Sequence, residues 1–399
     1  MQPLETISAL AGFNGRGPGT DAERRAGRWL AGELVSSRYK VRIETFWCRP
    51  NWALAHAWHV ALALVGSLIS VSDPIVGTAV LAPALASAVA DELVGTSIGR
   101  RLTPERASQN VLGTTPSTAP ANAPRLIVTA NYDAGRTALI YRDAFRATAA
   151  RLRRITGGRA PGWLAWLALA ITFELVIAGV RLTATHPPAF LGAVQLPPAV
   201  ALVIGLALLL EAAGAGYGPG AGDNGTGVAA AIAVTRALAA DPPRNLTVDL
   251  VLQGAGESQG LGIRRYLRRH KRELRDSTIV LGIAASGAGQ PAWWVSDGRL
   301  VPLRYGHTLR ALCARTGAAP HRGRGGAPAL YARAAGLPAI TIGCLDDRGL
   351  VPRSHQRTDT PAAIDGAALD RAIEFGLTLV GAIDATVAPV EEGGAATPA

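Results

Sequence analysis

Four long apolar runs, arranged as two pairs, constrain the fold of this chain more than any other feature of its sequence. Trp52–Ser72 runs almost directly into Pro74–Ala90, and a short segment joins Gly162–Val180 to Phe190–Leu210. A helix of about 20 apolar residues crosses a hydrocarbon core roughly 30 Å thick. The runs therefore predict two transmembrane helical hairpins. Because Pro74–Ala90 is short and contains Pro83, two helical hairpins buried in a soluble protein are the alternative.

The distribution of positive charge favours the transmembrane interpretation. Arginine and lysine are frequent before the first hairpin and between the hairpins, whereas Arg181 is the one arginine at either hairpin tip. Positively charged flanks stay on the cytoplasmic side of a membrane, and the N-terminal stretch lacks the pattern of a signal peptide. We predict a multi-pass protein of the cell membrane, in contact with the lipid bilayer, whose soluble part faces the cytoplasm.

The basic composition of the chain is explained by the same membrane topology. The chain has 40 lysines and arginines against 29 acidic residues, a formal charge of +11. No zinc-finger spacing, heptad pattern or aromatic-studded strand accompanies this charge, so we predict no nucleic-acid partner. The run 264–275, RRYLRRHKRELR, is predicted to lie on a helix with a solvated or membrane-facing basic surface.

Two smaller features carry limited information. The three cysteines are far apart and have no metal-binding spacing, which predicts unpaired thiols. Glu174 lies in the middle of an apolar run, where an ionisable residue suggests a transport pathway. A transporter-like module is therefore a further alternative, although no chain of polar partners for Glu174 is evident in the sequence.

Outside the hairpins, short strand-like runs alternate with helical stretches. We predict strands at 125–130, 246–252, 278–284 and 337–343, with an alanine-rich helix following residue 226. Such alternation is typical of an α/β fold with a mostly parallel sheet flanked by helices. Ligands of such sheets bind at the carboxyl ends of the strands.

Acidic residues and a histidine follow several of these predicted strands. Asp133 comes after the run at 125–130, Glu257 after the run at 246–252, and His355 and Asp359 after the last run, while Asp223 precedes the alanine-rich helix. These side chains are typical ligands of zinc and similar ions. A dinucleotide site is the weaker interpretation, because GAGESQGLG does not have the G-x-G-x-x-G spacing.

Several motifs together resemble, in order, the zinc aminopeptidase and glutaminyl cyclase family of metallopeptidases. The resemblance covers most of the chain outside the hairpins, and it implies a zinc-exopeptidase-like fold. The motifs are FNGRGPGTDAERRAGRWLAGELVSSRYKVRIETF, ASQNVLG, RLIVTANYDAG, GAGDNGTGVAAAIAVTRAL, VDLVLQGAGESQGLGIRRYL, GLPAITIG and HQRTDTPAAID.

The resemblance implies a set of metal ligands. The family joins two zinc ions by a shared aspartate, and the matching position here is Asp223. The ligand glutamate of the family's Glu-Glu pair matches Glu257, and the C-terminal histidine matches His355. Each residue also has an ordinary alternative role: Asp223 as a helix N-cap, Glu257 as an acceptor for turn amides, and His355 as a surface histidine.

Other positions depart from the family pattern. Asn131 stands where a ligand histidine belongs, although Asp133, its usual orienting partner, is present. Gly256 occupies the position of the general base, and Ala284 falls near the position of a further ligand aspartate. The histidine and the aspartate that bind only one of the family's two metal ions are thus both missing. The resemblance therefore implies one zinc ion rather than two.

We expect little or no peptidase activity and a binding or scaffolding role, because a lost general base costs roughly 10²–10⁴ in rate. The alternative is an active one-zinc amide hydrolase, aminopeptidase or glutaminyl-cyclase-like acyltransferase, acting on a peptide or small amide. Tyr132, Asp133, Ser258 and His307 are the candidates for a replacement base.

The predicted organisation is a peptidase-like domain interrupted twice. Its parts are 1–50, 93–160 and 213–385, the hairpins occupy 51–92 and 161–212, and a disordered tail is expected at 386–399.

Overall fold

A nine-stranded sheet flanked by helices is the centre of the protein. The computed structural model describes residues 2–37, 39–120, 122–186, 188–274 and 277–387. In chain order the strands are β1 Lys40–Cys48, β2 Arg106–Thr114, β3 Arg125–Asn131, β4 Thr247–Gln253, β5 Thr278–Ile283, β6 Gln290–Asp297, β7 Leu303–Arg304, β8 Ala319–Arg322 and β9 Ala339–Leu345.

The strand order places the buried apolar strands in the middle of the sheet. It runs β1-β2-β4-β3-β5-β9-β6-β7, with β8 beside β6. The central strands β4, β3, β5 and β9 pair in parallel, while β1, β2, β6 and β7 pair antiparallel. The predicted α/β class is confirmed. The sheet is mixed, however, because parallel pairing is confined to the central strands and the β6–β8 pair.

The helices begin where the sequence provides a capping residue or a turn. At the start of α2, for example, the Thr20 side chain accepts a hydrogen bond from the Glu23 amide, which has no partner within the helix. The helices are α1 Pro3–Gly12, α2 Asp21–Ser36, α3 Trp52–Ile69, α4 Pro74–Val94, α5 Ile98–Arg101, α6 Asp143–Ile155, α7 Trp163–Thr183, α8 Leu191–Gly214, α9 Gly227–Ala240, α10 Leu261–Arg269, α11 His307–Ala314, α12 Leu330–Ala334 and α13 Gly366–Val387.

Two of the predicted segment boundaries differ from the structure. The basic run at 264–275 is helical only as far as Arg269, where α10 ends. The ring of the next residue, His270, is buried and lies 2.9 Å from both Glu44 and Glu273, so the chain turns there. At the C-terminus, α13 continues to Val387, and the rest of the predicted tail, 388–399, lies outside the described residues.

The four apolar runs form the helices α3, α4, α7 and α8, which are long and apolar enough to cross a membrane. Their buried residues form a hydrophobic cluster that is separate from the core around the sheet. Large apolar side chains on their outer surfaces are exposed, among them Leu68, Phe173 and Val203. The two hairpins therefore pack against each other while leaving an apolar exterior.

Polar contacts between the hairpins include partners of Glu174 that were not evident in the sequence. Glu174 accepts a hydrogen bond of 2.7 Å from Ser67, which in turn accepts one of 2.6 Å from Gln195. These residues come from α7, α3 and α8. Because a buried carboxylate requires hydrogen-bond donors, Ser67 gives one oxygen of Glu174 a structural partner, while the other oxygen, Oε1, has none among the described residues.

Candidate metal centre

Asp223 lies in a tight turn that leads into α9. Gly220 begins the turn with a positive φ of 62°, and the peptide bond between Asp223 and Asn224 is cis. The carboxylate of Asp359 accepts hydrogen bonds of 2.7 and 3.0 Å from the amides of Gly222 and Asp223. The N-cap position of α9 belongs to Thr226. Asp223 therefore does not have the helix-capping role considered from the sequence.

Glu257 lies in the loop that follows β4, at the carboxyl end of that strand. The carboxylate of Asp133 holds this loop by accepting hydrogen bonds of 3.0 and 2.9 Å from the amides of Gly256 and Glu257. The side chain of Glu257 itself accepts a hydrogen bond of 2.6 Å from Asn224. Glu257 is thus directed towards the Asp223 turn rather than towards amides of its own loop.

His355 connects the two acidic residues. Its Nε2 atom lies 3.2 Å from Glu257 Oε2 and 3.7 Å from Asp223 Oδ2. The other ring nitrogen, Nδ1, lies 3.2 Å from the carbonyl oxygen of Arg136, and the ring of Tyr141 stacks on the imidazole with 4.1 Å between centroids. His355 is mostly buried and adopts a positive φ of 60°, an uncommon conformation for a side chain of this size.

A glycine makes room for the imidazole. A Cβ atom on Gly135 would lie 2.3 Å from the His355 ring. Gly135 is therefore needed for the close approach of the chain after β3 to the histidine. The three residues predicted from the resemblance, Asp223, Glu257 and His355, come together although they are far apart in the sequence.

The charges of these residues depend on each other. Burial raises the pKa of Asp223, and the nearby Glu257 raises it further. Burial also favours a higher pKa for Glu257, but the charge and hydrogen bond of His355 outweigh burial and lower this pKa to about 2. Burial favours a lower pKa for His355, yet Glu257 and Asp223 outweigh it and raise that pKa. Glu257 and His355 therefore stabilise each other's charged forms.

The donor atoms fit a zinc ion in type, and the two separations at His355 fit it in spacing, although the ligand atoms of the three residues do not all lie within 4.8 Å of one another. Two carboxylates and an imidazole are common zinc ligands, and tetrahedral ligands at about 2.0 Å from an ion lie about 3.3 Å apart. The separations of 3.2 and 3.7 Å at His355 Nε2 are close to this value. The ring nitrogen on the far side meets a carbonyl oxygen, as is usual for a metal-binding histidine.

A second group of acidic and histidine side chains lies within the first hairpin, on α3 and α4. Among the described residues, His56, Asp91 and Glu92 are the group whose ligand atoms all lie within 4.8 Å of one another. Arg100 donates two hydrogen bonds to Asp91, at 2.7 and 2.8 Å. Because a guanidinium already neutralises this carboxylate, we interpret the group as a buried ion-pair network.

Two of the three positions predicted to depart from the family pattern, Asn131 and Gly256, lie in or beside the loop that holds Glu257. The side chain of Asn131, at the end of β3, is buried, and its Oδ1 atom has no hydrogen-bond partner among the described residues. A Cβ atom on Gly256 would lie 2.3 Å from Asn131 Cγ and 2.5 Å from Asn131 Oδ1. Ala284 follows β5 and makes a backbone hydrogen bond of 2.8 Å to Ile342. The side chain of Asn131 thus fills the space that a larger residue at position 256 would need.

Sequence reasoning missed the residues that hold the loops of the site. Arg16 is completely buried and donates hydrogen bonds to the carbonyl oxygens of Tyr132, at 2.7 Å, and Gly220, at 2.9 Å. Glu23, also completely buried, accepts hydrogen bonds from the amides of Gly19, at 2.8 Å, and Ala255, at 2.6 Å. Both residues lie in the first motif of the resemblance, but nothing in their local sequence indicates a role at a distant loop.

A cavity of about 430 Å³ opens beside His355. Its lining includes Tyr141, Asp143, Glu211 and Gln356. Glu211 lies on α8 and accepts a hydrogen bond of 3.0 Å from the amide of Leu139. The cavity therefore connects the candidate metal centre to the end of the second hairpin, and it is large enough for a side chain or a small amide.

The comparison with protein families now adds to this geometry. The sequence model described as Peptidase family M28 matches residues 211–380. We refer to residues 211–380, which are similar to this family, as the M28 region. This M28 region contains Asp223, Glu257 and His355, while Asn131 and Asp133 come from the part of the chain that precedes it. A comparison with curated protein sequences found no match.

Solved structures extend the similarity beyond the M28 region to almost the whole fold. An aminopeptidase from Aneurinibacillus sp. strain AM-1 is 13% identical, with a TM-score of 0.55 over 95% of this chain and 92% of its own. BSAP, a zinc aminopeptidase from Bacillus subtilis, is 12% identical, with a TM-score of 0.53 over 96% and 94%. Glutaminyl cyclase from Porphyromonas gingivalis is 14% identical, with a TM-score of 0.50 over 96% and 97%. At these identities the similarity establishes the fold, and the resemblance stated from the sequence is confirmed.

Proposed function

We propose that this protein is a multi-pass membrane protein whose M28 domain holds one zinc ion on Asp223, Glu257 and His355. We further propose that the domain binds a peptide or small amide with little or no hydrolysis of it. The proposal combines three parts: a metal centre, the lack of a general base, and anchoring by the two hairpins. Each part rests on different residues and has its own test.

The metal part is supported by the immediate environment of the ligands. Asn224 holds Glu257, Asp359 holds the backbone of the Asp223 turn, and the carbonyl of Arg136 lies against the far nitrogen of His355. Such contacts fix the orientation of metal ligands. When bound, a zinc ion supplies a Lewis acid that polarises a carbonyl group and lowers the pKa of a water molecule.

The contact between Gly256 and Asn131 is the observation that carries the proposed loss of peptidase activity. A glutamate at position 256 would place its Cβ atom 2.3 Å from Asn131 Cγ. The chain therefore has no space for a base at the family's position unless residue 131 changes as well. Since a positioned general base contributes roughly 10²–10⁴ in rate, we expect any amide hydrolysis to be slow.

The replacement bases considered from the sequence are poorly placed for the role. The hydroxyl of Tyr132 is buried and donates to the carbonyl of Gln109 at 2.7 Å, and that of Ser258 is buried and donates to the carbonyl of Pro50. The carboxylate of Asp133 accepts from two backbone amides. His307 is exposed at the start of α11. Three of the four thus have structural duties, which favours a binding function.

Membrane anchoring is supported by the length and apolar exterior of α3, α4, α7 and α8. The chain enters each hairpin from the M28-like part, at the start of α3 and of α7, and returns to it at the end of α4 and of α8. The M28-like part therefore lies on one side of the proposed membrane. The arginines near those ends favour the cytoplasmic side. A reporter fused at the C-terminus is expected to be cytoplasmic, and an extracellular reporter would refute this orientation.

The most direct test of the metal centre is zinc quantitation on the detergent-purified chain. We expect about one zinc per chain in the wild type and much less in His355→Ala and Glu257→Gln, because each removes a ligand. His307→Ala is the matched control, since this histidine is exposed and should leave the zinc content unchanged. A wild-type protein that retains no zinc after purification in zinc-containing buffer would refute the metal part.

A second candidate function is a one-zinc amide hydrolase or glutaminyl-cyclase-like acyltransferase. It is favoured by the cavity beside His355 and by Tyr141, whose ring stacks on the imidazole. Burial raises the pKa of the Tyr141 hydroxyl, so this group stays protonated and can donate a hydrogen bond. Turnover of a peptide library at a rate typical of a peptidase, lost in Glu257→Gln, would favour this candidate over the binding role.

A further inference from the structure

A basic cleft separate from the candidate metal centre lies between α6, β8 and the loop after β9. We define it by its lining, a cavity of about 740 Å³ that includes five arginines and one acidic residue. The arginines belong to three different segments of the chain, so the fold and not a local sequence run brings them together. The charged residues are Arg151, Arg153, Arg154, Arg322, Arg348 and Asp347.

Most of this positive charge is not neutralised by the protein. Within the described ranges, no acidic side chain forms an ion pair with Arg151, Arg153 or Arg154. Burial, together with the charges of Arg324 and Arg146, lowers the pKa of Arg153. A cleft that holds unpaired guanidinium groups close together is an electrostatic site for an anion.

The basic cleft lies next to the start of an apolar helix. The guanidinium of Arg322 donates a hydrogen bond of 2.6 Å to the carbonyl of Gly157, and that of Arg324 donates one of 2.6 Å to the carbonyl of Gly158. These bonds hold the segment that leads into α7, which begins at Trp163. An anion in the basic cleft would therefore lie close to the level at which α7 enters the proposed membrane.

Helix α6 has the composition of a helix that lies on a membrane surface. Its apolar side chains Phe145, Leu152 and Ile155 are exposed, Ile155 by 74%, while three of its four arginines line the basic cleft. Ala150 is the one buried residue of this helix. Exposed apolar groups beside arginines are typical of helices that insert into the headgroup region of a bilayer.

We propose that the basic cleft binds the phosphate-bearing headgroup of an anionic membrane phospholipid. Arginine is suited to phosphate because its planar donors match two phosphate oxygens. The exposed apolar side chains of α6 favour a lipid over a soluble phosphate, since they need acyl chains to cover them. This inference rests on the proposed membrane anchoring, but it is independent of the metal centre.

Native mass spectrometry of the full chain in neutral detergent tests the proposal. Short-chain phosphatidylglycerol is expected to bind the wild type more tightly than phosphatidylcholine of the same chain length. Each basic residue near an anionic surface contributes roughly fivefold to affinity. The triple variant Arg151→Gln, Arg153→Gln, Arg154→Gln should therefore bind phosphatidylglycerol on the order of 100-fold more weakly than the wild type does.

The matched control removes the same charge from another helix. Arg265, Arg268 and Arg269 are exposed on α10, and their joint substitution by glutamine should leave phosphatidylglycerol binding nearly unchanged. An equal loss in both triple variants, or no loss in the cleft variant, would overturn the proposal. Full competition by inorganic phosphate alone would also overturn it, because the ligand would then be a soluble anion.

The anchoring on which the inference rests is tested separately. Membranes that contain the wild-type chain are washed with alkaline carbonate, which releases peripheral proteins and retains those that span the bilayer. Release of the chain would count against the anchoring itself. Retention of the chain, together with unchanged lipid binding by the cleft variant, would count against the basic cleft alone.

Discussion

The contact between Gly256 and Asn131 leads to the most specific prediction. Gly256→Ala adds one methyl group at a position that is not in the positive-φ region that favours glycine. The added atom would lie 2.3, 2.5 and 2.8 Å from Asn131 Cγ, Oδ1 and Cβ. These distances are far below van der Waals contact, so either Asn131 or the Gly256 loop must move.

The expected magnitude follows from two opposing effects. Overpacking in a well-packed interior costs typically about 1–3 kcal/mol, whereas a compatible glycine-to-alanine change stabilises by about 0.4–1 kcal/mol through the unfolded chain. We therefore expect Gly256→Ala to lower the free energy of unfolding by roughly 1–2 kcal/mol. In Asn131→Ala, Gly256→Ala the two closest atoms are absent but Cβ remains 2.8 Å away, so part of this loss should be recovered.

The assay is a double-mutant cycle on the detergent-solubilised chain, with urea unfolding followed by tryptophan fluorescence. A coupling energy on the order of 1 kcal/mol between positions 131 and 256 is expected, because the residues are in direct contact. Gly216→Ala is the control, since nothing lies within 4 Å of a Cβ atom there. The reasoning is refuted if Gly256→Ala is no less stable than Gly216→Ala, or if Asn131→Ala recovers nothing.

Three further outcomes are expected. Burial raises the pKa of Glu23 to about 7 from 4.5, so its contribution to stability is fully present below pH 4.5 and is lost as the pH rises through 7. When thermal unfolding is followed between pH 5 and 8, the decrease in stability that Glu23 causes in the wild type should be absent from Glu23→Gln. Parallel pH profiles for the two proteins would contradict the assignment. Arg16→Met should lower the free energy of unfolding in urea by several kcal/mol, because each buried carbonyl oxygen that loses its donor costs about 1–3 kcal/mol. The control Arg25→Met, at an exposed arginine, should change it by less than about 0.5 kcal/mol. Similar losses in both variants would contradict the role of Arg16. Asp133→Asn should lower the zinc content, because its carboxylate holds the amides next to Glu257, while retention of the wild-type content would show that the loop keeps its position without it.

The order of helices and strands could be predicted from the sequence because it depends on local patterns. The apolar runs at α3, α4, α7 and α8 are continuous, and the strands β3, β4, β5 and β9 are short runs of branched apolar residues, so length and composition identify both. The end of α10 was not predictable in this way. It depends on His270, whose ring is held by Glu44 from a distant strand.

The candidate ligands were predicted from the resemblance, whereas their environment was not. Asp223, Glu257 and His355 were identified by the order of motifs, and their approach to one another is a property of the fold. The stacking of Tyr141 on His355 has no signal in the sequence, because Tyr141 lies outside the motifs and about 200 residues before the histidine.

The sequence by itself determined the α/β class and the two apolar hairpins, and through the resemblance it predicted that three residues usual at the family's metal site are replaced. Each of these is a property of residue type and spacing along the chain. Only the tertiary structure showed that Asn131 fills the space beside Gly256, that Arg16 and Glu23 hold the loops, and that arginines from three segments form one cleft. Such contacts join residues far apart in the chain, so they exist only once the sheet has brought its strand ends together.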